Sequence, residues 1–334
     1  MLTIDRVLYP TDLTPGAARA FPQAAALAEW HDAELHILNV AGRHDHRYEE
    51  MKAHFPLETT RLQAMLTDED ASPDGGTPEA GEAGAQDSGA TGDPPARLPD
   101  LASLTIVQEQ VEGAAPADQI VAYADDADID LIVMGTHGRR GVERLMIGSV
   151  AEDVVRTAPC PVFTIRNESE VAPGRAVRRI LVPIDFSDAS DAAIAHAREL
   201  ALTYGAQIDL LHVVEEVIYP SSYGVEPASI PTAEVVDRVE EALAGLAREE
   251  IGYEHVTVKA VPGYAPTEIL DYADDHDVDL IVIATHGRSG LDRMLLGSVT
   301  ERIVRRAPGP VFVAKPKGKS LVDAERAPTG TAST

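Results

Sequence analysis

One half of this chain is a near copy of the other, and that limits every fold it can take. Residues 129–166 (IDLIVMGTHGRRGVERLMIGSVAEDVVRTAPCPVFTIR) and 278–315 (VDLIVIATHGRSGLDRMLLGSVTERIVRRAPGPVFVAK) align without a gap and are identical at 21 of 38 positions. A repeat this close records a duplication, so one architecture has to be built twice. The starts of the two halves also correspond: VLYPTDLTPGAARA at 7–20 answers ILVPIDFSDASDAA at 180–193. A length of 334 residues suits two domains of roughly 150 residues, each with its own core.

The spacing within the halves differs. Asp12 and Asp185 lie 173 residues apart while Gly148 and Gly297 lie 149 apart, so the first half holds a net 24 extra residues. Residues 68–100 (DEDASPDGGTPEAGEAGAQDSGATGDPPARLPD) account for them. Rich in Asp, Glu, Gly, Ala and Pro, they hold too little apolar surface to offset the entropy of ordering, and are predicted to be a disordered acidic loop. The expected organisation is a first domain at 1–166, a linker at 167–177, a second domain at 178–316 and a flexible tail at 317–334.

Within each half, short apolar runs alternate with helical patterns. In the second they are 177–184, 207–214, 255–261, 279–284 and 310–314, separated by Ala-rich amphipathic stretches at 187–205, 231–252 and 265–276. The first half repeats this with VLYP, ELHILNV, LTIVQEQV, DLIVMG and PVFTI. Strands apolar on both faces and joined by helices imply a parallel sheet covered on two sides. The expected fold class is α/β: two tandem five-stranded, parallel, doubly wound, Rossmann-like domains. In such sheets the ligand sits beyond the carboxyl ends of the strands, where strand order reverses. That places together the turn after the first strand (Asp12; Asp185) and the loop after the fourth (Gly135 to Ser149; Ala284 to Ser298).

The second of these has the grammar of a phosphate loop. Gly135 and Gly138 precede Gly148-Ser149, and glycines let the backbone approach an anion closely. Gly148-Ser149 opens an amphipathic stretch, so free amides at a helix start would face the phosphates, with Arg139, Arg140 and Arg144 as nearby cations. Ser149 and Ser298 have a second reading, since each begins a Ser-x-x-Glu capping box with Glu152 or Glu301. Asp12 and Asp185 likewise could serve only to fix a tight turn.

The pattern of strand, Gly-x₂-Gly-x₉-Gly-Ser, with an upstream strand-Pro-x-Asp-x-Ser/Thr turn, resembles the universal stress protein family. The likeness covers nearly the whole chain apart from insertion, linker and tail. It implies an adenine nucleotide alpha hydrolase-like fold and, from ATP-binding members, a glycine loop holding phosphates accompanied by Mg²⁺ or Mn²⁺. The residues it nominates for ATP are Asp12, Val40, Gly135, Gly138, Gly148, Ser149 and Val150 in the first domain. In the second they are Asp185, Val213, Gly287, Gly297, Ser298 and Val299. There the first motif glycine is replaced by Ala284, whose methyl group could crowd a phosphate. In the first domain Leu13-Thr14 stands where the second has Phe186-Ser187. The family habit of pairing through last strands implies an internal pseudo-dimer through 161–165 and 310–314, and a homodimer as a further step.

Composition narrows the partners. Lys and Arg number 28 against 55 Asp and Glu, a net charge of −27, and only Lys52, Lys259, Lys315, Lys317 and Lys319 are lysines. Such a surface repels nucleic acid and anionic membranes, and is read as adaptation of solubility to concentrated salt, a halophilic trait. The start, MLTIDRVLYPTD, shows neither a secretory signal nor a span, so a cytoplasmic location is expected. The lone Cys160 excludes an intramolecular disulfide and is expected to be a small buried residue. His137 and His286 could meet a phosphate or simply pack, and His44-Asp45-His46 suggests metal only superficially. The string Gly-x₄-Gly-Lys-Ser/Thr is absent and no acid–base set recurs in both halves, so any ATP hydrolysis should be slow. Three readings stand: an ATP-binding regulatory protein, a nucleotide-free interaction module, and a slow ATP hydrolase.

Overall fold

The structure, a computed structural model, describes residues 2–42, 99–136, 148–166, 177–215, 233–285 and 296–322. The first half runs β1 (Arg6–Thr11), α1 (Pro15–Ala18), α2 (Phe21–His31), β2 (Glu34–Ala41), β3 (Ile106–Glu112), α3 (Pro116–Asp126), β4 (Leu131–Gly135), α4 (Ser149–Thr157) and β5 (Val162–Ile165). The second runs β6 (Arg179–Pro183), α5 (Asp188–Tyr204), β7 (Gln207–Val214), α6 (Ala233–Leu246, continued as a π-turn over Ala247–Ile251), β8 (Val256–Pro262), α7 (Ala265–Asp275), β9 (Leu280–Ala284), α8 (Ser298–Arg306) and β10 (Val311–Ala314). Every apolar run named from the sequence is a strand. Most of the acidic insertion, the linker from 167 to 176, the tail from 323, and the cluster His44-Asp45-His46 lie outside the described residues.

The strands form one ten-stranded sheet in the order β3-β2-β1-β4-β5-β10-β9-β6-β7-β8. Within each half all neighbours are parallel, and order reverses between β1 and β4 and between β6 and β9. The halves meet at β5 and β10, which pair antiparallel with Phe163 opposite Phe312 and Val162 opposite Val313. Alternating side chains split the core into two layers. Tyr9, Leu35, Ile37, Phe163, Phe312 and helices α2 and α5 fill one; Leu8, Leu38, Ile132, Val154 and Ile303 fill the other. At the seam the Phe163 and Phe312 rings meet edge to face at 6.3 Å. Burying such a ring contributes about 2–3 kcal/mol, so apolar packing carries this junction.

Polar groups finish it. Arg166, just after β5, donates from Nη1 to the carbonyl of Ala307 at 3.1 Å, at the end of α8. Lys315, just after β10, donates in the same way to Val155 in the last turn of α4. Each half thus places a cation on the carbonyl end of the other half's helix, where the macrodipole favours it. Burial pushes the Lys315 ammonium down to about 8, partly countered by Cys160. Arg305 of α8 also bridges Glu301 at 2.9 Å and, across the seam, Glu152 at 3.3 Å.

At the opposite end of the strands, buried aspartates clamp the chain. Asp130 Oδ2 accepts from the Asp5 and Arg6 amides, both at 2.8 Å, and Asp279 Oδ2 accepts from Arg178 and Arg179 at 2.9 and 3.0 Å. Residues 317–322, expected as part of a loose tail, are packed instead. Lys319 reaches Asp128 and Asp130, Leu321 is buried, and Leu2 bridges Val322. Burial of one leucine and three lysine contacts holds a segment whose composition looks like a tail.

Candidate functional site

The chain leaves β1 and β4 on opposite faces of the sheet, and this opens a crevice at their carboxyl ends. After β1 the turn is held by Asp12: its Oδ1 accepts from the Thr14 amide at 3.1 Å and the Thr14 hydroxyl at 2.6 Å. Leu13 between them is forced to φ 62, and the Thr11 hydroxyl accepts its amide at 3.1 Å. Thr14 then caps α1 by accepting from the Ala17 amide. The second half repeats the device: Asp185 Oδ1 accepts from the Ser187 amide at 3.1 Å and from the hydroxyls of Ser187 and Ser190 at 2.5 and 2.7 Å, with Phe186 at φ 57. Two non-glycine residues held in the left-handed region at matching places store strain where the crevice opens. Both aspartates therefore fix the turn, whatever else they meet.

The residues under the turn differ between halves. Asn39, fully buried, donates to the Thr11 carbonyl at 2.9 Å and accepts from Gln110. At the matching place His212 Nδ1 donates to the Ile184 carbonyl at 2.7 Å, and its ring lies 4.9 Å from Phe186. The sequence reading has Thr14 and Ser187 only as the last position of the Pro-x-Asp-x-Ser/Thr turn, and does not single out Ser190, Asn39 or His212. A Ser or Thr two residues after an Asp is the signal for the first two; a buried polar residue near a strand end is the faint signal for the last two.

After β4, the Gly148 amide donates to the Thr136 carbonyl at 2.7 Å, and in the second half Gly297 donates to Thr285 at 2.8 Å. This pins the return of the glycine loop directly beside the strand it left. Gly148 (φ −64, ψ 141) and Gly297 (φ −59, ψ 139) are the N-caps, and Ser149 and Ser298 are the first helical residues. The capping-box reading of the serines is therefore corrected: a residue already inside the first turn cannot cap it, and neither helix has a side-chain cap bond. The leading amides of α4 and α8 have no acceptor within a helix, and these helix starts are tied beside the carboxyl ends of β4 and β9. Val40 and Val150 border the same core layer at this end, as do Val213 and Val299.

Gly135 has a packing role that its motif does not state. A Cβ there would lie 3.0 Å from the Gly16 carbonyl oxygen and 3.3 Å from the Ala17 Cα. Its missing side chain makes room for α1. The second half carries the buried Ala284 at this place and runs α5 unbroken from Asp188 to Tyr204. The remaining loop residues, Gly138, Gly287, His137, His286, Arg139, Arg140 and Arg144, lie outside the described residues.

Cys160 is fully buried and burial pushes its thiol up to about 12, which makes it inert packing. Among the described residues no three His, Cys, Asp or Glu side chains are grouped to hold a metal. No described helix is long and apolar enough to cross a membrane.

A duplicated, doubly wound α/β sheet, with a strained Asp turn and an open helix start converging at each order reversal, defines the class. The particular family follows from comparison. The Universal stress protein family profile matches residues 3–166 and 176–315, and the chain belongs to that family. It is similar to a universal stress protein of Mycobacterium tuberculosis, 30% identical over 210 residues, covering 63% of this chain and 69% of that protein. Another of Methanocaldococcus jannaschii is 29% identical over 156 residues, covering 42% of this chain and 96% of that one. A solved universal stress protein from Archaeoglobus fulgidus shares the fold at a TM-score of 0.61 and 19% identity, covering 94% and 98% of the two chains.

Proposed function

We propose that this chain binds an adenine nucleotide, ATP in the first instance, in the crevices after β1/β4 and β6/β9, and acts as a nucleotide-dependent regulatory protein. One observation supports the reading: in both halves the glycine pair is tied back by an amide–carbonyl bond to the residue that follows the strand, which sets the start of α4 and of α8 beside the carboxyl ends of β4 and β9. Unpaired amides at a helix start favour negative charge. Asp12 with Thr14, and Asp185 with Ser187 and Ser190, form the facing wall. Val40 and Val150, or Val213 and Val299, offer an apolar border to a base. Gly138 and Gly287 belong to the same loops.

A divalent ion, Mg²⁺ or Mn²⁺, would be held mainly by the nucleotide's own phosphate oxygens, since such ions keep several waters and need few protein carboxylates. When bound it would neutralise phosphate charge; the chain's own part is to hold and orient the nucleotide. Among the described residues the site holds positioning groups and no evident base for water, and occupancy rather than turnover is proposed as the signal.

Gly148→Asp tests this without attacking the fold. Asp is a favoured N-cap and Gly148 already has the extended backbone of one, so α4 should be kept or strengthened while the new carboxylate repels phosphate. Gly297→Asp does the same for α8. Nucleotide released from protein purified in high salt is measured by mass spectrometry, with thermal stability in added Mg-ATP. ATP or ADP lost with one substitution identifies the working domain. Wild-type protein that arrives empty and gains no stability from Mg-ATP would sink the reading and favour a nucleotide-free interaction module.

A further inference from the structure

The segment after β10 runs back over the junction of the two halves, and a buried histidine is among the groups that secure it. Lys319 donates its amide to the Pro159 carbonyl at 2.7 Å, and its ammonium meets the Asp128 carbonyl and carboxylate, both at 2.8 Å, and Asp130 at 2.6 Å. Two residues on, Leu321 is buried in the core layer that contains Phe312, and its carbonyl accepts the Thr3 amide at 2.9 Å. The Leu321 amide points inward. Its acceptor is Nε2 of His196 on α5, at 3.2 Å.

His196 has only one workable state there. Its Nδ1 lies 2.6 Å from the Ala192 carbonyl, so that nitrogen carries the proton and Nε2 is left as the acceptor. The ring is 1% exposed and packs 5.3 Å from Phe312. A second proton, on Nε2, would turn two donors toward each other inside an apolar layer. We propose that residues 316–322 form a pH-gated strap, which protonation of His196 releases from the junction between the two halves.

The direction follows from burial, which holds the His196 imidazole below its ordinary range. The latch is then fully present above the ordinary histidine value of about 6.5, and weakens as pH falls below it, because the open strap takes up the proton more readily. The other charged groups on the packed elements do not reproduce this. On α5, Glu199 is ion-paired to Arg198, and Asp188 and Asp191 lie near its start. Asp191 and, beside it, Glu250 are both raised, first by burial and then by carboxylate neighbours, so their uptake of protons favours the folded chain as pH falls and does not open the strap. On the strap, Lys319 stays charged, and Asp128 is held below the usual carboxylate range by the Lys319 hydrogen bond and charge. Strand β10 and residues 2–4 carry no ionisable side chain.

Amide exchange of the full chain tests this, after correction for intrinsic rates, between pH 7.5 and 5.5. Protection at Leu321 and Thr3 is expected to fall by up to about tenfold, the factor one unit below the ordinary histidine value allows, while Ile132 in the sheet keeps its protection. His196→Gln retains an acceptor and should flatten the response. Unchanged Leu321 protection in the wild type, or the same pH response in His196→Gln, overturns the proposal. Should that variant not fold, nitrogen-detected titration of the wild-type imidazole decides: an Nδ1-protonated ring titrating below about 6.5 supports the latch, and a higher value or the other tautomer refutes it.

Discussion

Asp130 performs two tasks with two oxygens, and a double-mutant cycle separates them. Oδ2 holds the Asp5 and Arg6 amides at the entry to β1; Oδ1 holds Lys319 at 2.6 Å. Asp130→Ala orphans the part-buried Asp5 and Arg6 amides, each costing about 1–3 kcal/mol, so a loss of about 2–6 kcal/mol is expected. Asp130→Asn keeps one oxygen for the amides and removes the charge facing Lys319. At 2.6 Å and an effective dielectric near 20, that attraction is about 6 kcal/mol before desolvation. Desolvating a pair that is one-tenth exposed on the Asp side and one-third on the Lys side cancels most of it. We expect a coupling of about 1–2 kcal/mol between Asp130→Asn and Lys319→Met, read from urea unfolding of the two single variants and the double. It should shrink as salt is raised. Coupling within error of zero would mean that Lys319 rests on Asp128 alone; coupling above about 4 kcal/mol would mean the desolvation argument is wrong.

Two further outcomes are expected. Gly135→Ala should destabilise the first half by about 1–2 kcal/mol in urea unfolding, since its methyl meets the rigid backbone of Gly16 and Ala17 rather than a movable side chain; a stabilised variant would show that α1 shifts freely. Lys315, held near 8 by burial, contributes a rise in stability of about 1.5 kcal/mol from pH 8 to 9.5, because the unfolded chain keeps its proton longer. The unfolded Cys160 thiol ionises in the same window and offsets about half of it. Lys315→Met should remove that rise. The window closes near pH 10, where Tyr9 and Tyr204, whose pKa values burial raises, begin to ionise in the unfolded chain and lower stability.

Much of the architecture was legible because its signals are local. Runs such as DLIVMG and DLIVIA are apolar on both faces, which only a strand covered on two sides satisfies. The pairing of β5 with β10 comes from family resemblance, and its antiparallel direction from the structure alone, since nothing in PVFTI or PVFVA states a direction. At the end of the glycine loop the sequence leaves the helix cap open between two residues. Ser149 looked like a cap because caps are usually Ser, yet the bond from Gly148 to Thr136 shifts the cap by one residue. The strap was illegible for a stronger reason. Lys319, Asp130, His196 and Leu2 are far apart in the chain, and KGKSLV has no period that betrays a buried leucine. Asn39 and His212 were missed because one half's solution does not predict the other's.

That last difference follows from the seam between β5 and β10. Two separate copies meeting through these strands would have to be self-complementary, and every change in one would appear in the other. Here both partners are written into one chain, and their encounter does not depend on how many molecules are present. Evolution can therefore edit one half alone. Arg166 and Lys315, Asn39 and His212, Gly135 and Ala284 are such unilateral edits, and they give the molecule a left and a right that a symmetric pair could never acquire.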